Sequence, residues 1–173
     1  PQMRERRRAI ITAPASVRSV GEAVMAADRL LETAKAQADA QVSERNAREK
    51  AELMRQLGMD EGESATKASR TMIRQLEEDQ KRRSKRALTD AIDRALIDLL
   101  AIYRDVLMVQ VGGDGELINT DLSDLVHEIA QDSTPRQTLA RVDHIETARK
   151  RLVSNGNPLL VLEDMAISLR PQA

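Results

Sequence analysis

Chemistry needs nucleophiles, acids and bases brought together, and this chain offers few candidates. It has no Cys, which removes disulfides, thiolate catalysis and cysteine-based zinc sites. Its two histidines, His127 and His144, sit beside apolar positions of helical patterns and read as satisfied or exposed residues, not ligands. Acidic residues cluster at Glu77-Glu78-Asp79 and at Asp121 and Asp124, on polar helical faces where solvation is expected instead of acid–base work. Gly112-Gly113-Asp114-Gly115 imitates a phosphate loop, but no Lys-Ser or Lys-Thr follows and no strand pattern precedes it. It is expected to be a loop between helices. No catalytic, cofactor-binding or metal-binding residue is assigned, and no cofactor is expected.

Two basic runs invite a phosphate-binding reading. Arg4, Arg6, Arg7 and Arg8 open the chain, and Lys81, Arg82, Arg83, Lys85 and Arg86 form a second patch. No aromatic residue interleaves either run, so base stacking is not on offer. The acids just before the second patch suit a solvated helix face, with Glu78 and Arg82 spaced for an i,i+4 pair. The single aromatic side chain, Tyr103, falls in the apolar stretch Ile102-Tyr103-Arg104-Asp105-Val106-Leu107. It reads as a core tyrosine whose hydroxyl hydrogen-bonds at the edge.

The elements that position these residues follow from composition. The chain has 173 residues, with 41% hydrophobic, 32% charged and only 1% aromatic residues, and a net charge of −1. Near-absence of aromatics argues against a β-sandwich or barrel. The charge balance gives no general pull toward nucleic acid or acidic lipid. No run of about 18 apolar residues occurs, so no membrane span is expected. The chain opens at Pro1 without Met and with no secretory pattern, and is expected to be a piece of a longer protein.

Gly and Pro are so sparse that 22–57, 63–111, 116–134 and 136–155 are free of both, and these stretches are rich in strong helix formers. Three helix starts are legible. Ser19-Val20-Gly21-Glu22 and Thr134-Pro135-Arg136-Gln137 have capping-box form, and Asn157-Pro158 pairs a cap with a first-turn proline. Gly156 suits a left-handed residue closing the preceding helix. Apolar stripes run through Leu122, Leu125, Val126 and Ile129, and through Leu139, Val142, Ile145, Ala148 and Leu152. Residues 159–169 are apolar nearly all round, so that helix is expected to be buried on most sides. The fold class predicted is all-α, with more than about 70% helix against the usual third. The structural core is placed at Tyr103, Leu99, Val106, Leu159 and Leu162, with Tyr103 packed near the 158–169 helix.

The middle of the chain is different. From 35 to 86 the apolar stripe thins, and no apolar residue separates Leu76 from Ala87. A pair of helices meeting near Gly58 and Gly62 is expected to run beyond the core as an antiparallel hairpin, an arm of roughly 50 Å. Partial disorder over 58–70 is the alternative. The body, 14–34 and 87–170, holds almost all the large aliphatic residues.

Several segments, in order and spacing, carry a family resemblance. Tyr103-Arg104-Asp105-Val106-Leu107, Leu117-Ile118-Asn119-Thr120-Asp121 and Asn157-Pro158-Leu159-Leu160-Val161-Leu162-Glu163 resemble the C-terminal domain of delta-prime-type subunits of DNA polymerase III, which belong to the bacterial sliding-clamp loader. Arg6-Arg7-Arg8-Ala9-Ile10-Ile11, Ser19-Val20-Gly21-Glu22-Ala23 and Leu76-Glu77-Glu78-Asp79-Gln80-Lys81-Arg82-Arg83 are similar to versions with an enlarged helical hairpin. The resemblance implies a helical collar domain over 14–170, with 35–86 as a protruding hairpin and 1–13 as the end of the lid of an upstream AAA+ region. It implies an assembly role in ATP-driven loading of the sliding clamp for DNA replication, in the bacterial cytoplasm. The implied partners are other loader subunits of gamma/tau and delta type, with DNA and clamp reached only through the complex, and with no membrane or small-molecule substrate. The fragment itself is read as no enzyme, although the resembled subunit is part of the DNA-directed DNA polymerase III holoenzyme. Two other readings rest on the residues alone: a coiled-coil adaptor, and a nucleic-acid-binding domain using 81–86.

Overall fold

The computed structural model of the chain describes residues 12, 15, 17–58, 66–113 and 115–170. The Arg4–Arg8 run, nearly all of the 1–13 lid segment, Asp114 and most of the 58–70 junction lie outside the described residues. Of the described residues 84% are helical, and no strand occurs among them. Helix α1 spans Val20–Gln56 and α2 spans Lys67–Gln110. After a 3-10 turn at Thr120–Leu122 come α3 (Ser123–Gln131), α4 (Pro135–Val153) and α5 (Pro158–Ser168).

The three sequence-legible starts each supply partners for the unpaired N–H groups of a first turn. Glu22 N–H donates to Ser19 Oγ at 3.1 Å, while the Glu22 carboxylate accepts from Arg18 N–H at 2.8 Å, one residue earlier than a capping box requires. Thr134 makes the full reciprocal box with Gln137. Asn157 Oδ1 accepts from Leu160 N–H at 3.2 Å. The end of α4 differs from expectation. Asn155, not Gly156, is the left-handed residue, with φ of 63°. Asn155 N–H donates to Leu152 O and Gly156 N–H to Arg151 O, which is the paired closure of a Schellman motif. Gly156 is needed for space: a Cβ there would lie 2.8 Å from Arg151 O and 2.9 Å from Val161 Cγ2.

The chain divides into two compact units, residues 1–34 with 92–173 and residues 35–91. The core of the first includes Leu30, Ile92, Leu96, Leu99, Ile102, Tyr103, Val106, Val126, Ile145, Leu162 and Met165. Leu159 is only half-buried, and Leu160 is 64% exposed. Val161, Leu162, Met165 and Ala166 of α5 are buried and only Leu160 and Asp164 are exposed, so this helix is covered on most sides, as its composition predicts. In α4 the inward stripe is Thr138, Arg141, Ile145, Ala148 and Leu152, and Leu139 faces out at 50% exposure. Polar partners explain that rotation. Thr138 Oγ1 donates to Gln110 Oε1 at 2.8 Å, and the Arg141 guanidinium lies 5.9 Å over the Tyr103 ring.

In the second unit, residues 35–56 of α1 run antiparallel to 67–91 of α2: Asn46 meets Gln80 and Arg83, and Lys50 meets Glu77. Ala38, Val42 and Ala87 form its buried apolar cluster, with Leu88 packed against them. At about 1.5 Å per residue these described helical segments measure about 33 and 37 Å. No helix among the described residues is long and apolar enough to cross a membrane.

Candidate interaction surfaces

Tyr103 is fully buried on α2, and its hydroxyl has no hydrogen-bond partner among the described residues. This corrects the expected edge hydrogen bond. Burial pushes the phenol up to about 12, against a smaller opposing pull from the Arg141 charge. A neutral, unreachable hydroxyl has no chemistry to offer. Leu99, Val106 and Leu162 are buried in the same unit.

The most constrained polar site was invisible as a site in the sequence. Asp105, two residues after Tyr103, is fully buried and accepts four hydrogen bonds. Asn119 N–H donates at 2.7 Å, Asn119 Nδ2 at 2.9 Å, Ile118 N–H at 3.1 Å and Arg104 Nη1 at 2.9 Å. Arg104 Nη1 also reaches Glu116 O at 3.3 Å. Burial raises the Asp105 pKa, but the donors from Asn119, Ile118 and Arg104 together outweigh it and hold the carboxyl below its ordinary value. The carboxylate thereby pins the connection between α2 and the 3-10 turn. Tyr103-Arg104-Asp105 and Ile118-Asn119, separate segments of the family pattern, are two halves of one lock. A buried acid in an apolar helix followed about a dozen residues later by Asn in a glycine-rich loop is the signal that would have found it.

Gln110, at the end of α2, performs a similar task for the next turn. Its Nε2 donates to Ser133 O at 2.7 Å, and its Oε1 accepts from Thr138. Arg149 of α4 holds Asp93 of α2 through two hydrogen bonds, at 2.7 and 3.3 Å. Just before α1, Val17 is buried, and Arg18 reaches Glu128 of α3 at 3.4 Å and Asp132, which caps the end of α3, at 2.9 Å. These groups line a cavity of about 30 Å³ together with Arg141.

The basic run does not present a uniform cationic face. Lys81, Arg82, Lys85 and Arg86 are exposed, whereas Arg83 is half-buried and donates to Asn46 Oδ1 at 2.7 Å and Glu49 Oε2 at 2.8 Å. Arg83 and Arg45 hold Glu49 well below the usual carboxylate range, at about 2. The expected Glu78–Arg82 pair is replaced: Glu78 is taken by Arg74 one turn earlier, and Arg82 pairs with Asp79 at 3.4 Å. His127 is exposed, with Nδ1 2.8 Å from its own helix's Ser123 carbonyl, and His144 is exposed. No group of three His, Asp or Glu side chains able to hold a metal occurs among the described residues. Among the described residues the arrangement is one of structural locks and exposed surfaces.

The family model described as DNA polymerase III, delta subunit, C terminal, matches residues 64–170. DNA polymerase III subunit delta' of Bacillus subtilis (strain 168) is 36% identical over 72 residues, 42% of this chain and 22% of that protein. The matched segment therefore spans about a fifth of the length of that curated relative. No solved structure matches. With its match running through α2 and all of α3, α4 and α5, the chain belongs to the family formed by the C-terminal domains of DNA polymerase III delta subunits.

Proposed function

We propose that this domain is an assembly module of the bacterial clamp loader, holding loader subunits together while an upstream ATPase region does the chemistry of clamp loading. The observation that carries the reading is the family match over 64–170. Its residues include both halves of the Asp105–Asn119 lock, a device that stiffens a body without creating an active site. A stiff body of this kind suits a part that must keep its shape between neighbours. Its exposed apolar side chains, Val153 at 76% and Leu160 at 64%, are of the sort an assembly contact buries. The partners of this reading are gamma/tau-type and delta-type subunits, with DNA and the sliding clamp met only through the complex. Its place of work is the bacterial cytoplasm.

A pull-down of purified gamma/tau and delta subunits by the full-length subunit tests the proposal. Assembly should survive with the wild-type domain and weaken when Leu160 and Val153 are changed to Asp, with helicity unchanged. Unimpaired assembly after removal of residues 92–170 would overturn it.

A further inference from the structure

We propose that Arg141 of α4 is the receptor of a carboxylate-binding pocket, one that admits a single carboxylate group between α3, α4 and the segment just before α1. An arginine is almost never buried without a counter-charge, because taking the ion out of water is costly. Arg141 is only 7% exposed. Among the described residues its guanidinium has no hydrogen-bond or ion-pair partner, and its one polar contact is with the Tyr103 ring, 5.9 Å from its central carbon. An aromatic ring offers no lone pair, so the five N–H donors of the guanidinium keep no acceptor. The Tyr103 hydroxyl is the only fully enclosed side-chain polar atom left without a partner among the described residues, so the Arg141 nitrogens still open onto solvent. The cavity of about 30 Å³ that Arg141 lines offers that opening.

Size and charge select the occupant. A water molecule needs about 10–15 Å³ of such volume, so the cavity holds two or three water-sized groups. That is the bulk of a carboxylate head and less than a phosphate. Val17, Leu125 and Ile129 supply apolar walls, which exclude water and strengthen a charge-assisted hydrogen bond. Arg18, Glu128 and Asp132 also line the cavity, but Arg18 bonds to both acids. All three of these side chains are half-exposed or more, so solvent screens them. Arg141 is the one charge of the lining that is buried and unpaired. A planar carboxylate matches the fork of a guanidinium with two parallel hydrogen bonds. The pocket lies wholly within the unit of residues 1–34 and 92–173. The proposal is independent of the loader reading, because a small carboxylate tests it on the subunit alone.

The test uses the full-length subunit, labelled for NMR at its arginine side-chain nitrogens and at its leucine and isoleucine methyl groups. Formate, added at constant ionic strength, should shift the Arg141 Nε–H signal, which is assigned by its loss in Arg141→Gln. The Leu125 and Ile129 methyl signals should move with it. The shift should saturate with a Kd no tighter than about 1 mM, the ceiling for a ligand of three heavy atoms. Phosphate at the same ionic strength should leave these signals in place. Arg141→Gln, with helicity unchanged by circular dichroism, should weaken the effect of formate on the methyl signals at least about tenfold. If that variant does not fold, the selectivity of the wild type for formate over phosphate decides alone. A response that does not saturate, an equal response to phosphate, or methyl shifts untouched by Arg141→Gln would overturn the proposal. An acidic side chain of a neighbouring polypeptide and a free small carboxylate offer the same chemistry, and the assembled complex separates them. Loss of the formate response on assembly assigns the pocket to a partner's Asp or Glu, and a response that persists assigns it to a free carboxylate.

Discussion

The two units of this chain are both helical, yet they are held together by different physics. In the unit containing 92–170, aliphatic side chains are buried in quantity around Tyr103, and polar groups taken inside other than the Tyr103 hydroxyl and the Arg141 guanidinium are matched to buried or backbone partners, as at Asp105 and Gln110. In the 35–91 unit the buried apolar residues are mostly alanine, and the helices are joined by ion pairs at the surface, such as Lys50–Glu77 and Arg83–Glu49. Burial of large apolar area stabilises by about 25 cal/mol per Å², whereas exposed ion pairs contribute little and are screened by salt. Helix content is therefore a poor guide to stability here. Two helices of equal regularity belong to a stiff unit or a soft one according to what their inward faces carry.

Breaking the stiff unit should give the largest effects. Tyr103→Ala removes a fully buried ring and should cost about 3–5 kcal/mol in urea unfolding. Tyr103→Phe separates packing from hydrogen bonding: because the hydroxyl lacks a partner, the substitution should be neutral or stabilising by up to about 1 kcal/mol. A clear loss with Phe would mean that the hydroxyl is bonded. Asp105→Ala should also cost about 3–5 kcal/mol, since it strands the Ile118 and Asn119 donors in a buried site. The wild-type carboxylate, with its folded pKa below the unfolded one, contributes fully above about pH 4. That contribution drains away as pH falls through the folded value. Acid unfolding of Asp105→Asn should accordingly lose part of the wild type's pH dependence, which a melting series from neutral to acid pH would reveal.

The soft unit should answer differently. Replacing residues 40–80 with a short Gly-Ser linker should leave the melting temperature of the remainder within a few degrees, because little large apolar area is removed. A collapse of folding would show that the 35–91 unit supports the other. Smallest of all, Arg83→Ala should leave the main melting transition in place while speeding amide hydrogen exchange around 42–50 and 79–87. In the same variant the Glu49 carboxyl, at about 2 in the wild type, should titrate higher by NMR, with Arg45 still restraining it. An unshifted Glu49 would mean that Arg83 does not hold it.

Much of this was determined by the amino-acid sequence alone, because it depends on neighbours one turn away. The rarity of Gly and Pro dictated long helices, and Ser19, Thr134 and Asn157 announced their caps through side-chain oxygens that reach only their own first turn. Tyr103, Leu99, Val106 and Leu162 could be placed inside from apolar density. The tertiary structure decided what depends on partners far along the chain. It turned Thr138 and Arg141 inward in place of Leu139, because Gln110 and the Tyr103 ring meet them there. It left Leu159 half-buried, because α5 packs through the stripe one step further on. It gave the left-handed position to Asn155 and kept Gly156 for the close passage of Arg151 and Val161. Above all it joined Asp105 to Asn119 across 14 residues, a pairing that no helical period encodes and that only the return of the chain onto α2 creates.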